Sequence, residues 1–72
     1  MRAKFRVNNY TQYTGAGRRF ELSAVTDDGT PENQRYHTAT PAGQLSITID
    51  NPAVVDFLSP GKSYYLDFTE AE

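Results

Sequence analysis

"MRAKFRV" (residues 1–7) places Arg2, Lys4 and Arg6 between Met1, Ala3, Phe5 and Val7, the period-2 alternation of a half-buried strand. One face of that strand is core, and the other is a ladder of cations. The choice of strand over helix here decides the class of the whole chain, because three further segments repeat the same period.

"RRFELSAVT" (18–26) sets Phe20, Leu22 and Ala24 on one face against Arg19, Glu21 and Ser23 on the other. "QLSITID" (44–50) alternates Leu45, Ile47 and Ile49 with Ser46 and Thr48. In Ser63–Thr69 the same rule joins Tyr64 to Leu66 and Phe68 on the core face and turns Tyr65 outward beside Asp67 and Thr69.

The connections are read from turn chemistry. "NNYTQYTGAG" (8–17) reads as a loop or distorted hairpin connection ending in a Gly-Ala-Gly turn, and "DDGTPENQ" (27–34) as an exposed loop. "RYHTATPAG" (35–43) suits a short edge strand stopped at Pro41, with Pro-Ala-Gly as a hairpin turn. "DNPAVVDFL" (50–58) changes period; a capping Asp50 or Asn51, Pro52 at a first helical position, and Val54, Val55 and Leu58 on a shared face predict one or two helical turns, ended by Ser59-Pro60-Gly61. The last residues, Thr-Glu-Ala-Glu, read as a frayed end.

The expected architecture is therefore mainly β: a single small domain over residues 1–72, with four to five strands in a small antiparallel barrel or curved sheet of the SH3-like or OB-like kind. One short helix is expected before the last strand.

A 72-residue chain buries only about 60% of its unfolded surface, so its core has little margin over conformational entropy. With no cysteine in the sequence, disulfides cannot supply the difference, and a homo-oligomer or a larger partner is the expected source of added stability. The sequence holds no apolar run long enough for a membrane span and no signal-peptide core, which leads us to expect no membrane association and a cytosolic location in the producing cell. Asn9-Tyr10-Thr11 fits a glycosylation acceptor, a short pattern that recurs by chance and carries no weight here.

Catalysis finds little support in the residues. His37 is the sole histidine and reads as exposed or structurally bonded, and neither a Gly-x-Ser-x-Gly elbow nor a zinc ligand set is present. Asp27, Asp28 and Glu32 lack calcium-loop spacing and read as a solvated turn; "GAGRRF" has Phe20 where a phosphate loop needs its third glycine. The expectation is a non-enzymatic protein without cofactor or metal.

Charge is uneven: net charge is −2, yet every charge in residues 1–20 is basic, and from Glu21 onward nine acids face only Arg35 and Lys62. Arg2, Lys4, Arg6, Arg18 and Arg19, with Tyr10, Tyr13 and an outward Tyr65, are the candidate contact residues for a protein or nucleic-acid partner. The net acidic balance of the chain favours reading these cations as a solvated face paired with acids from the other strands.

Four segments, "AKFRV" (3–7), "PEN" (31–33), "ATPAGQLSITIDNP" (39–52) and "SPGKSYYLDFTEAE" (59–72), resemble a group of small proteins encoded by tailed bacteriophages that carry T-P-x-G-x-L and P-G-K-x-Y-Y-x-D-F-T segments. The resemblance implies a phage setting, in the virion or the host cytoplasm, and no catalytic motif. Within it the leading expectation is an accessory protein that binds a larger assembly, above all as a virion structural or capsid decoration component. A single-stranded nucleic-acid binder and an inhibitor of a host protein are the alternatives.

Overall fold

The computed structural model describes residues 1–13, 15 and 17–71. Strand β1 (Arg2–Gln12) is followed by β2 (Arg18–Ala24), helix α1 (Pro31–Ala39), β3 (Gln44–Ile49) and β4 (Ser63–Asp67). All pairings are antiparallel, in the order β3-β2-β1-β4. The class is mainly β as the alternation predicts, but the sheet stays open, so the barrel form is replaced by a sheet with two free edges.

Register explains the core. Val7 opposes Leu22, Phe5 lies between Ala24 and Tyr64, Ala3 faces Leu66, and Leu22 and Phe20 face Leu45 and Ile47, which collects the alternating apolar residues on one side. Ala3, Phe5, Val7, Phe20 and Leu22 are buried there, with Leu45, Ile49, Leu58, Tyr64 and Leu66 packed around them. Val25 is also buried, outside that cluster. The core is thin, and the radius of gyration of 13.4 Å exceeds the roughly 11 Å of a compact domain this size.

Of the two readings of residues 8–17, the distorted hairpin holds: residues 8–12 are strand, and β1 passes through a bulge, since Val7 and Asn9 oppose the adjacent Leu22 and Glu21, leaving Asn8 as the extra residue. The hairpin closes with Tyr13 N–H donating to Gly17 C=O at 3.0 Å; Thr14 and Ala16 of the expected Gly-Ala-Gly turn region lie outside the described residues.

The short helix stands between β2 and β3, not before the last strand, and it takes up most of the expected loop and edge strand. Thr30 at the N-cap with extended backbone, Pro31 in the first turn and Glu32 near the helix's positive end start it. The loop preceding it folds on acids: Asp27 accepts from Gly29 N–H, and Asp28 accepts from both the N–H and hydroxyl of Thr30. The turn composition of "DDGTPENQ" hid a helix start.

Residues 50–58 form separate turns in place of helix. Asn51 accepts from Val54 N–H and Val54 accepts from Phe57 N–H, both at 3.0 Å, while the Asn51 side chain takes Ala53 N–H. These i→i+3 bonds suit Pro52 at the second position of a turn. Ser59-Pro60-Gly61-Lys62 closes with a 3.2 Å bond from Lys62 N–H to Ser59 C=O, and Gly61 at φ +87° supplies the left-handed third position of a type II turn. Leu58 packs in the core and Asp56 reaches Arg18, so the 50–62 connection crosses the apolar side of the sheet from β3 to β4.

Candidate interaction surfaces

The eight candidate residues fall on both sides of the sheet. Arg2, Lys4 and Arg6 share the polar face with Tyr65, which β4 turns away from the core as the alternation predicts. An uninterrupted strand would carry Tyr10 onto that same face. The Asn8 bulge reverses the parity, and Tyr10 pairs instead with Phe20 on the apolar side, ring centroids 5.6 Å apart.

On the polar face the cations are largely engaged within the chain. Arg2 makes a two-pronged contact with Asp67, at 2.7 and 3.1 Å. Lys4, whose side chain is only 16% exposed, donates to Glu32 at 2.7 Å and to Asn33 at 2.6 Å. Tyr65 donates its hydroxyl to the other Glu32 oxygen at 2.7 Å, and Asn33 donates to Asp28 at 2.9 Å. This chain of bonds ties α1 and its leading turn to the sheet, with Tyr36 and Tyr65 rings 5.9 Å apart. It accounts for a helix with no buried residue remaining docked.

Titration follows the same contacts. The bond from Lys4, then that from Tyr65, lowers the Glu32 carboxyl, while the Glu32 bond raises Lys4 and Tyr65. Arg2 lowers Asp67 through their hydrogen bond. Asp28, held by the Thr30 hydroxyl and N–H and by Asn33, falls to about 2.

On the apolar side, Arg18 donates to Gln12 at 2.5 Å and to Asp56 at 2.9 Å, and stacks over Tyr10 at 4.7 Å. Arg19 pairs with Glu21 at 3.1 Å on the polar face and lies 5.8 Å from the Tyr13 ring centre. Among the described residues, Arg6 alone of the five early cations has no carboxylate partner. It lines an open cleft of about 340 Å³ with Asn8, Ser23, Thr26 and Gly61.

The alternation did not reveal the exposed apolar residues of the crossing connection. Phe57 is 70% exposed, Val54 is also exposed, and both belong to the segment read as an amphipathic helix. Tyr10, 40% exposed, lies on the same side of the sheet. No local signal in the sequence marks Phe57, because its exposure follows from where the connection crosses. The tyrosine pair resolves cleanly: Tyr64 packs on the core and bridges Ser59 N–H and Phe57 C=O with its hydroxyl, while Tyr65 binds Glu32.

Among the described residues no group of His, Cys, Asp or Glu is placed to hold a metal ion, and no helix is long and apolar enough to cross a membrane. No protein-family model, curated protein or solved structure matches the chain.

Proposed function

We propose that this chain is a non-enzymatic binding protein that docks on a larger protein assembly, with a phage virion, and its capsid in particular, as the setting suggested by the sequence resemblance. The observation that carries the reading is the incomplete cover of the core. Tyr10, Val54 and Phe57 stay exposed on the apolar side, and the chain is less compact than its length predicts. A partner that binds the folded form and covers such residues adds stability that the small core lacks.

The disposition of charge favours a protein partner over nucleic acid. Arg2, Lys4, Arg18 and Arg19 each have a carboxylate within the chain, so contact with phosphates would compete with existing ion pairs. Among the described residues, Arg6 is the one member of the early cationic set that would meet a phosphate without such competition.

The test is mass spectrometry of gradient-purified particles of the encoding phage, with this chain quantified against the major capsid protein. A fixed copy ratio supports the virion role, and its loss on Phe57→Ala, with unchanged circular dichroism, identifies the docking side. Absence from particles defeats that role. Salt-sensitive binding to single-stranded DNA would then favour the nucleic-acid alternative, and capture of a defined host protein the inhibitor.

A further inference from the structure

The two edges of the sheet differ in how they are protected. Edge β4 follows Lys62 directly and carries the Asp67 ion pair within the strand. Edge β3, Gln44–Ile49, holds no charge and no proline, and its register with β2 runs without a bulge. Charge, proline and a bulge, three of the devices that keep an exposed strand from pairing, are absent from it.

We infer that β3 is a self-association edge, through which two copies of this chain pair antiparallel about a two-fold axis at Ile47 and join their sheets into one of eight strands. The expected homo-oligomer thereby acquires a surface.

The register follows from the ladder. Ala24 N–H donates to Gly43 C=O at 3.0 Å, so the alternation of an antiparallel pair turns the backbone groups of Leu45, Ile47 and Ile49 toward β2. The N–H and C=O groups of Gln44, Ser46 and Thr48 then point outward. Pairing outward groups with outward groups, and apolar face with apolar face, requires the residue numbers of each facing pair to sum to an even number.

The sum that centres the strand sets Ile47 against Ile47 of the second copy, Leu45 against its Ile49, and Ser46 against its Thr48. Each pair is matched in chemistry, and Asp50 opposes Gln44, so no like charges meet. Ile47, 39% exposed on the apolar side, is covered by its own equivalent. The crossing connection leaves β3 toward Arg18 on β2, away from the outer edge. Because each copy uses its one β3 edge, the assembly closes as a dimer.

The experiment reads oligomeric state on the purified chain, so its result is separable from virion incorporation. Sedimentation equilibrium should give a concentration-dependent dimer for the unaltered chain and a monomer for Ile47→Lys and Thr48→Pro. The Thr48 N–H faces outward, so proline there removes a donor to the second copy and leaves the β2 ladder intact. A chain that stays monomeric throughout overturns the proposal, as does a dimer that survives both changes with unaltered circular dichroism.

Two measurements do not rely on those variants folding. On the unaltered chain, Ser46 and Thr48 amides should exchange slowly when concentrated and quickly when dilute, whereas Leu45 and Ile47 stay protected; Ser46 and Thr48 exchanging fast at every concentration refutes the edge. The chain has no native cysteine. Ile47→Cys should therefore crosslink to its equivalent on mild oxidation, since facing non-hydrogen-bonded residues lie about 4.5 Å apart, within disulfide reach. Faster crosslinking of Ser46→Cys or Thr48→Cys would overturn the register.

Discussion

Gly43→Ala places two opposing effects in direct competition. Alanine restricts the unfolded chain and, where it fits, stabilises by about 0.4–1 kcal/mol. Gly43 has no positive φ to forbid it. A Cβ there, however, would lie 3.0 Å from the Phe5 ring tip, 3.6 Å from a second ring atom and 3.8 Å from the Ala24 methyl. Phe5 is buried between Ala24 and Tyr64 in adjacent strands, so its ring has little freedom to retreat. Overpacking of this kind costs about 1–3 kcal/mol, leaving a net loss of about 0.5–2 kcal/mol. Against a total of roughly 4–11 kcal/mol for a chain this size, that is readily measured. Urea unfolding followed by circular dichroism, with a slope near 1 kcal/mol per molar, should show the midpoint falling by about 0.5–2 M. In a Phe5→Leu background the ring tip is gone, and the cost of Gly43→Ala should shrink or reverse, a coupling of about 1 kcal/mol. A stabilised Gly43→Ala, or a cost unchanged by Phe5→Leu, would refute the close approach.

Three further outcomes follow from named contacts. Gly61→Ala forces a Cβ into the left-handed region of the Ser59–Lys62 turn and should lower stability by about 1–2 kcal/mol in the same urea assay, whereas Ala at a position needing no positive φ would not. The Asp28 carboxyl titrates near 2 in the fold and 3.8 ordinarily, so its contribution is present above about pH 4 and lost as pH falls toward 2; Asp67 and Glu32 shift in the same direction. Thermal midpoints should therefore drop between pH 5 and 2, less steeply in Asp28→Asn, and an equal slope in that variant would remove Asp28 from the account. Lys4→Met keeps the stem over the sheet but removes the donors to Glu32 and Asn33; α1 amides should exchange faster while β1 and β2 amides hold, and uniform loss across the chain would contradict a local anchor.

Particular elements show how far a one-dimensional reading carries. The four strands were legible because Phe5 and Val7, Phe20 and Leu22, Leu45 and Ile49, and Tyr64 and Leu66 each repeat at period two beside polar neighbours. Pro60-Gly61 was legible as a stop, since only glycine adopts the turn's third position without strain. Helix α1 was missed although Thr30-Pro31-Glu32 is a start signal. Its residues bury no apolar stripe, so no 3.6-residue period stood out, and its docking depends on Lys4 and Tyr65 from distant strands. In the crossing connection, Val54, Val55 and Leu58 permit a common face and so predict a helix, yet its backbone bonds close as isolated turns.

The sequence by itself determined a small, mainly β chain with a cationic first strand, two tyrosines on opposite faces and too little core for comfort, because side-chain alternation is a local property of extended backbone. Only the tertiary structure decided what those side chains do. The Asn8 bulge moves Tyr10 and Gln12 to the apolar side, and Arg2 and Lys4 find carboxylates 65 and 28 residues away. Register and charge pairing arise between strands, from contacts whose partners no local pattern names; the same cations that a linear reading offers to a ligand are therefore mostly spent on holding the fold.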